Sequence, residues 1–542
     1  MQLQQDLQKW LDAGTAVLGL LVPLSERNSA LGAIARSGQH KSLPTYSLEG
    51  MQFRLVNPDG SWGANVNVNV NSGTFDCPLR VFDFLFDAPE GIYVVDNFQT
   101  LMIEAPDWHS RERTWALISR ILAVRDRFAA LPGKRYLVLL SSLEKKLPQD
   151  LARAIPQLQF NLPDLTKISQ FLHEFLPTQL SEVELGGIDV EAIAQNSRSL
   201  SLAEIKEGLR LWQGQVFGNF TLGEAMQQYR RQKLSESGII LQPPRHLNDF
   251  GGLDNLKQAT EWVKFGFSSA AQRYALAKPK GWLLVGPPGT GKTHAAAVCA
   301  HRLGFELALV DTGSLVAAGV SYLQRLLRRV DACGSVVLYF DEFDKLFAGS
   351  QPGSRLENAE ILGVLLTWLQ DKQSDVFTIA TLNRLRVLPP ELTRAGRFDR
   401  IFYVGFPSAM ERWHICKLHA ARFDSRYAGE HDPLTMEEKQ RWVDETLNCS
   451  GAEIAHIVQQ AAIARAAALV EVGSDAPIEL HLEDLLAQRR QLTPLYVRDC
   501  DRILAMENSV RGIAEPASVE DNSCFAPALT TFWGEPIESV VS

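Results

Sequence analysis

Short, almost wholly apolar runs alternate along the chain with stretches whose apolar residues return every three or four positions. The runs Ala16 to Leu21, Ile92 to Val95, Tyr136 to Leu140, Trp282 to Val285, Val336 to Phe340 and Phe377 to Ala380 predict buried strands. Helical periodicity lies between most of them, as in Trp115 to Phe128 and Leu323 to Val330. That alternation predicts an α/β protein in which crossover helices cover a largely parallel sheet, and both halves of the chain show it.

One segment breaks the pattern. Asn65-Val66-Asn67-Val68-Asn69-Val70-Asn71 alternates with period two and precedes Ser72-Gly73, which predicts an inserted strand with one apolar face, plausible as a hairpin arm. Two readings stay open for it: a peripheral strand filling a sheet edge, or a docking edge for a partner strand. Gln242-Pro243-Pro244 reads as a boundary, and the acidic tail from Glu515, without lysine or arginine, as a mobile end.

Composition narrows the class. A chain of 542 residues is long enough for several packed units, and 46% hydrophobic with 22% charged residues excludes wholesale disorder and collagen-like repeats. The net charge of −9 removes the basic bias of nonspecific nucleic-acid binders. The seven cysteines are scattered, with no C-x-x-C pair, which fits a reducing compartment. The polar N-terminus lacks a basic and then apolar leader, and Ala16 to Leu24 is too short to span a bilayer. A soluble cytoplasmic protein is expected.

The strongest chemical signal is Gly286-Pro287-Pro288-Gly289-Thr290-Gly291-Lys292-Thr293, which follows one apolar run and precedes a helical stretch from His294 to Leu303. In such a strand, loop and helix the glycines let backbone N–H groups close on phosphate oxygens, Lys292 reaches the β- and γ-phosphates, and Thr293 offers a hydroxyl to Mg²⁺. The loop is therefore expected to cradle a triphosphate with Mg²⁺, with Gly286 to Thr293 and Asp341 as binding residues.

Asp341 and Glu342 end the apolar run Val336 to Phe340. Alone they read equally as a solvated acidic turn; placed downstream of the glycine-rich loop, Asp341 is expected to hold the Mg²⁺ shell and Glu342 to activate the attacking water. Asn383 ends the next run and is either a loop cap or a neutral hydrogen-bonding group for water or γ-phosphate. Arg394 and Arg397 are candidates to neutralise charge on the transferring phosphoryl group, or ordinary surface ion pairs.

These residues, in this order, resemble the AAA family of ATPases: Gly286 to Thr293 resembles Walker A, Asp341-Glu342 Walker B, Asn383 sensor 1, and Arg394 and Arg397 the arginine-finger segment. Phe250-Gly251-Gly252-Leu253-Asp254 is similar to the family's segment beside the adenine. Ser450-Gly451-Ala452-Glu453-Ile454 is similar to its lid helix, with alanine in place of a sensor-2 arginine. The likeness covers about residues 247 to 510. With Gly91 to Phe98 and Glu515 to Ser518, the whole chain resembles a narrower group, the AAA ATPases encoded by cyanobacteria and by algal plastids as hypothetical chloroplast reading frames. A plastid-encoded member would reside in the stroma.

The resemblance implies a P-loop NTPase fold: a three-layer parallel sheet at 247–408, a C-terminal helical lid at 409–510 and a flexible acidic tail at 511–542. It implies a homo-oligomeric ring, commonly a hexamer, in which Arg394 and Arg397 reach a neighbour's γ-phosphate. Residues 1–240 are expected to be a degenerate AAA-like module. Asp96 ends a buried strand as Asp341 does, Pro163 and Pro407 follow at matching spacings, and Ser201 to Ile205 echoes Ser450 to Ile454. Val22 to Arg27 stands where a phosphate loop would lie, without glycines or lysine, so this half is not expected to bind nucleotide.

Two features bear on the output of such an ATPase. Thr312 to Gly319, in the region of the family's pore loop, has no aromatic residue to grip an extended chain. His173-Glu174 is not completed by a second histidine, which excludes a fused zinc protease. The expectation is hydrolysis coupled to remodelling of a protein client, and the alternative an ATP-gated scaffold or regulator. No membrane partner is expected, and the acidic balance argues against a nucleic-acid motor.

Overall fold

A computed structural model describes residues 2–49, 52–63, 78–97, 108–130, 134–141, 149–179, 188–212, 221–243, 251–347, 354–385, 388–394, 396–429 and 432–526. Residues 65–71, Phe98, Pro244, Phe250 and the last part of the tail lie outside them. The chain divides into two units, Met1–Lys233 and Leu234–Ser542.

The first unit carries a sheet of six strands: β1 (Val17–Leu21), β2 (Thr45–Glu49), β3 (Gln52–Leu55), β4 (Gly91–Asp96), β5 (Arg135–Ser141) and β6 (Gln157–Gln159), in the order β3-β2-β4-β5-β1-β6. Every pairing is parallel except that of β3 with β2. Successive side chains leave opposite faces of a strand, so Ile92 and Val94 join Leu31 and Ile34 of helix α1 (Arg27–His40). Tyr93 and Val95 meet Ile121 and Val124 of α2 (Trp108–Ala129) on the other face. A separate helical core contains Ile168 and Leu172 of α3 (Leu165–Phe175) and Ile205 and Leu209 of α4 (Leu202–Leu211).

The second unit has β7 (Ile239–Gln242), β8 (Gly281–Val285), β9 (Glu306–Val310), β10 (Val336–Phe340), β11 (Val376–Leu382), β12 (Arg400–Tyr403) and β13 (Glu515–Pro516), in the order β13-β12-β8-β11-β10-β9-β7. The inner order, β12-β8-β11-β10-β9, repeats β6-β1-β5-β4-β2 of the first sheet, and each sheet adds one antiparallel strand at the corresponding edge. Leu283, Val285, Leu338 and Phe340 pack on one face. Trp282, Leu284, Val337 and Tyr339 pack on the other with Ala295, Ala296 and Cys299 of α6 (Lys292–Leu303), while α5 (Asp254–Gly266) adds Leu256 and Val263. Each fully buried side chain of this kind contributes roughly 1.5–3 kcal/mol. The helical lid has its own core, with Trp413 and Cys416 of α8 (Ala409–Ala420), Ile454 and Ile457 of α9 (Gly451–Glu471) and Leu485 of α10 (Leu482–Gln491).

The structure departs from the sequence expectations in three places. Leu234, Ile239 and Leu241 are buried in the second unit's core and β7 pairs with β9, so the boundary falls at 233/234 rather than 240. The region of Thr312 to Gly319 is helical: it opens α7 (Thr312–Ala332), capped by the Asp311 carboxylate and broken at Gly319, where φ is +75°. The tail is not free throughout. Residues Glu515 and Pro516 pair with Phe402 and Tyr403, the Ala517 amide donates to the Tyr403 carbonyl, Met410 N–H donates to Asp521, and Phe525 is buried in the lid core. Backbone pairing and one anchored aromatic outweigh an acidic, Ser- and Pro-containing composition.

Candidate active site

Three neighbouring strands deliver the site. The loop Gly286 to Thr293 leaves β8, Asn383 leaves β11 and Asp341-Glu342 leave β10, and these strands lie side by side with Val285 level with Leu382, and Phe340 with Ala380. Tyr339, Asp341, Thr381 and Asn383 have the alternation parity of the face that α6 covers, so they converge on the start of that helix. A cavity of about 530 Å³ opens there, lined by Lys292, Thr293, Asp341, Glu342 and Asn383.

Within the loop, Gly289 and Gly291 take φ of +82° and +96°, which lets the chain wrap around the helix start. Thr290 Oγ1 donates to the Pro287 carbonyl at 3.0 Å and fixes the turn. The Lys292 ammonium lies inside this wrap, 9% exposed, donating to the carbonyls of Gly286 and Pro287 at 2.8 Å each and to Asn383 Oδ1 at 3.1 Å. Burial pushes its pKa down to about 8, against the opposing pull of Asp341, Asp344 and Glu342.

Asp341 Oδ1 accepts from Thr381 Oγ1 at 2.8 Å, Tyr339 Oη at 3.0 Å and the Glu342 amide at 3.1 Å. The backbone turns sharply after it. Glu342 sits at φ +47°, held by its amide's bond to Thr381 Oγ1 at 3.0 Å, and its carboxylate pairs with Lys345. Buried Asp344 accepts from the Asn383 amide at 3.3 Å and so fixes the end of β11.

The far end of the cavity is built from other segments. His294 and His419 line it with Gly251, Leu253 and Ile415, and both imidazoles are held below their ordinary pKa, by burial first and by the Arg422 guanidinium second. Glu411 ties this end together: its Oε1 accepts from the Leu253 amide at 3.0 Å and Ser518 Oγ at 2.6 Å, and its Oε2 from the Ser408 amide at 2.8 Å. At Gly252, with φ +94°, an added Cβ would stand 1.7 Å from Glu411 Oε1, so only glycine fits.

The lid touches the phosphate loop directly. Ala452, where the resemblance expects an arginine, donates its amide to the Gly289 carbonyl at 3.1 Å, beside the Ser450–Glu453 capping box. Arg394 and Arg397 are not among the residues lining the cavity. Arg394 is exposed, and half-buried Arg397 donates to the Glu391 carbonyl.

In the first unit the loop after β1 borders a cavity lined by Ser25, Glu26, Leu202 and Ala203, but it is held by other contacts. Glu26, 1% exposed, follows β1, and its Oε1 accepts from the Ala203 amide at 2.8 Å at the start of α4. Arg27 forms an ion pair with Asp96 at the end of β4, and Ser25 Oγ lies 3.4 Å from Ser201 Oγ. A carboxylate on a helix N-terminus and a guanidinium on a strand-end aspartate leave this unit without the loop that Lys292 occupies in the other.

Sequence reasoning missed Tyr339, Thr381, Glu411, Ser518 and the two histidines. Tyr339 and Thr381 had a signal: each stands two residues before a candidate, hence on the same face of its strand.

Residues 282–406 match the family model described as ATPase family associated with various cellular activities (AAA). The chain is 28% identical over 459 residues to the "Uncharacterized AAA domain-containing protein ycf46" of Guillardia theta, covering 82% of this chain and 84% of that protein. It is 27% identical over 441 residues to the protein of the same description from Trieres chinensis, covering 79% and 82%. Among solved structures, the FIGL-1 AAA domain superposes with a TM-score of 0.44 at 23% identity, covering 53% of this chain and 96% of that one. No helix among the described residues is long and apolar enough to cross a membrane.

Proposed function

Taking the AAA domain at residues 282–406 as the premise, we propose that this protein binds ATP with Mg²⁺, hydrolyses the β–γ anhydride, and uses the cycle to move its lid and remodel a protein client. The observation that carries the reading is the convergence of Lys292, Asp341 and Asn383 from three adjacent strand ends on one open cavity. The Lys292 ammonium exchanges the loop carbonyls for phosphate oxygens, while the loop amides and the N-terminus of α6 face the same charge.

The donor set fits Mg²⁺: the Thr293 hydroxyl and the Asp341 carboxylate are hard oxygen donors, linked through the Tyr339 hydroxyl. Thr293 and Asp341 would hold the ion, which when bound neutralises phosphate charge. Glu342 leaves Lys345 to orient and deprotonate the attacking water, and Asn383 gives that water or the γ-phosphate a neutral hydrogen bond. Arg394 and Arg397, which do not line their own cavity, serve the γ-phosphate of a neighbour in a homo-oligomeric ring, so turnover requires assembly. Residues 1–233 act as a degenerate, nucleotide-free AAA-like module.

A second reading is favoured by one observation. The region of Thr312 to Gly319 is helical and lacks an aromatic residue, so it provides no stacking grip on a threaded chain. An ATP-gated scaffold needs no such grip. Turnover measured with and without cell extract separates the readings. A rate that rises with a protein partner supports remodelling; partner capture that follows ATP occupancy and ignores hydrolysis supports the scaffold.

A further inference from the structure

Resting on the nucleotide reading above, we infer that Tyr339 is a positioning residue of the magnesium site: its hydroxyl fixes where the Thr293 proton points and anchors the Asp341 carboxylate. β10 is otherwise an apolar run, Val336-Val337-Leu338-Tyr339-Phe340, in which only bulk is needed for packing. Tyr339 is buried at 2% exposure, its ring on the face covered by α6, yet its hydroxyl emerges among polar groups. It lies 2.9 Å from Thr293 Oγ1, 3.0 Å from Asp341 Oδ1 and 3.4 Å from Thr381 Oγ1.

A phenol has one hydrogen and two lone pairs, and an ionised carboxylate only accepts. The Tyr339 hydrogen therefore goes to Asp341, and Thr293 donates its own hydrogen to the Tyr339 oxygen. This chain turns the Thr293 proton into the protein and leaves its lone pairs facing the cavity, the orientation a cation requires. Phenylalanine would fill the same space and remove only the link. Asp341 would keep the Thr381 hydroxyl and the Glu342 amide, so the loss falls on metal binding rather than on folding.

The test uses the full-length protein, a fluorescent ATP analogue, and Mg²⁺ titrated from an EDTA baseline. Tyr339→Phe is expected to melt like the wild type and to bind the analogue equally well in EDTA. The Mg²⁺ concentration giving half of the metal-dependent gain in affinity is expected to rise about tenfold, the worth of one polar contact to a charged site. Thr293→Ala should abolish that gain, and adding Tyr339→Phe to it should cost nothing further. Should Tyr339→Phe fold poorly, Tyr339→Leu, which also lacks the hydroxyl, must show the same shift. A wild-type Mg²⁺ midpoint in a folded hydroxyl-free variant, or additive losses in the double variant, overturns the inference alone. Absence of analogue binding by the wild type overturns the nucleotide reading and this inference with it.

Discussion

The amide of Ala203 donates to Glu26 Oε1 at 2.8 Å, and the amide of Ala452, at the same position after its own capping serine, donates to the Gly289 carbonyl at 3.1 Å. In both units the second residue of a capped helix docks on the loop that follows the sheet's inner strand β1 or β8. In one the partner is a buried side-chain anion; in the other it is the backbone of a loop shaped for phosphate.

That difference predicts the behaviour of Glu26→Ala. The Ala203 amide loses its acceptor and Arg27 keeps Asp96, so α4 should detach more readily, at a cost of about 1–3 kcal/mol for the unpaired buried group. Hydrogen exchange of residues 202–211 in the full chain should accelerate by the same amount with and without ATP. Protection of those residues by ATP would contradict a nucleotide-free first unit.

Lys292→Ala should abolish tight ATP binding, because it removes the ammonium held inside the loop's wrap. Glu342→Gln should bind ATP normally and lose turnover by roughly 10²–10⁴-fold, the usual worth of a general base. Equilibrium binding and steady-state phosphate release check the pair. Normal hydrolysis in either variant would displace the site.

The depressed pKa of Lys292 sets a pH dependence. With the free-protein value at about 8 and phosphate favouring the charged form, ATP binding takes up a proton above that pH. Affinity should be flat below pH 8 and fall above it, by at most tenfold per pH unit. The sign for folding is opposite: a lysine pKa lowered by folding penalises the empty protein below the unfolded value, so its stability rises from pH 8 towards 10.5. Calorimetry in buffers of different ionisation enthalpy reads the proton uptake, and proton release would be inconsistent with it.

Arg397→Ala, and less directly Arg394→Ala, should leave ATP affinity unchanged and lower turnover by about 10³-fold or more, as removing an arginine finger does. Mixing Arg397→Ala with Lys292→Ala subunits should restore part of the activity, because some interfaces then join an intact loop to an intact arginine. No recovery on mixing would argue that the guanidinium acts within its own subunit.

The loop end of the candidate site was legible because its residues are contiguous in motifs whose spacing suits phosphate geometry: Gly286 to Thr293, Asp341-Glu342 and Asn383 need no knowledge of the fold to be found. What stayed hidden is long-range. Glu411 bonds Leu253 and Ser518 across the sequence, and Glu26 bonds Ala203, pairings no local pattern encodes. β9 was missed because Glu306-Leu307-Ala308-Leu309-Val310 is short, opens on a charge and directly follows a helix. Thr312 to Gly319 was placed by family position, and the Asp311 cap that turns it helical is a local signal that could have been weighed. Tyr339 was taken as one more apolar position, because its ring does belong to the core and only its oxygen does not.

The stretch from Glu515 to Phe525 begins hydrogen-bonded to the sheet's edge strand and ends with an aromatic ring embedded in the lid. It is therefore a tether of fixed contour length between the two bodies whose relative motion hydrolysis would drive. A pair of optical labels, one beside Pro516 and one beside Phe525, would read lid swing as a distance inside a single chain.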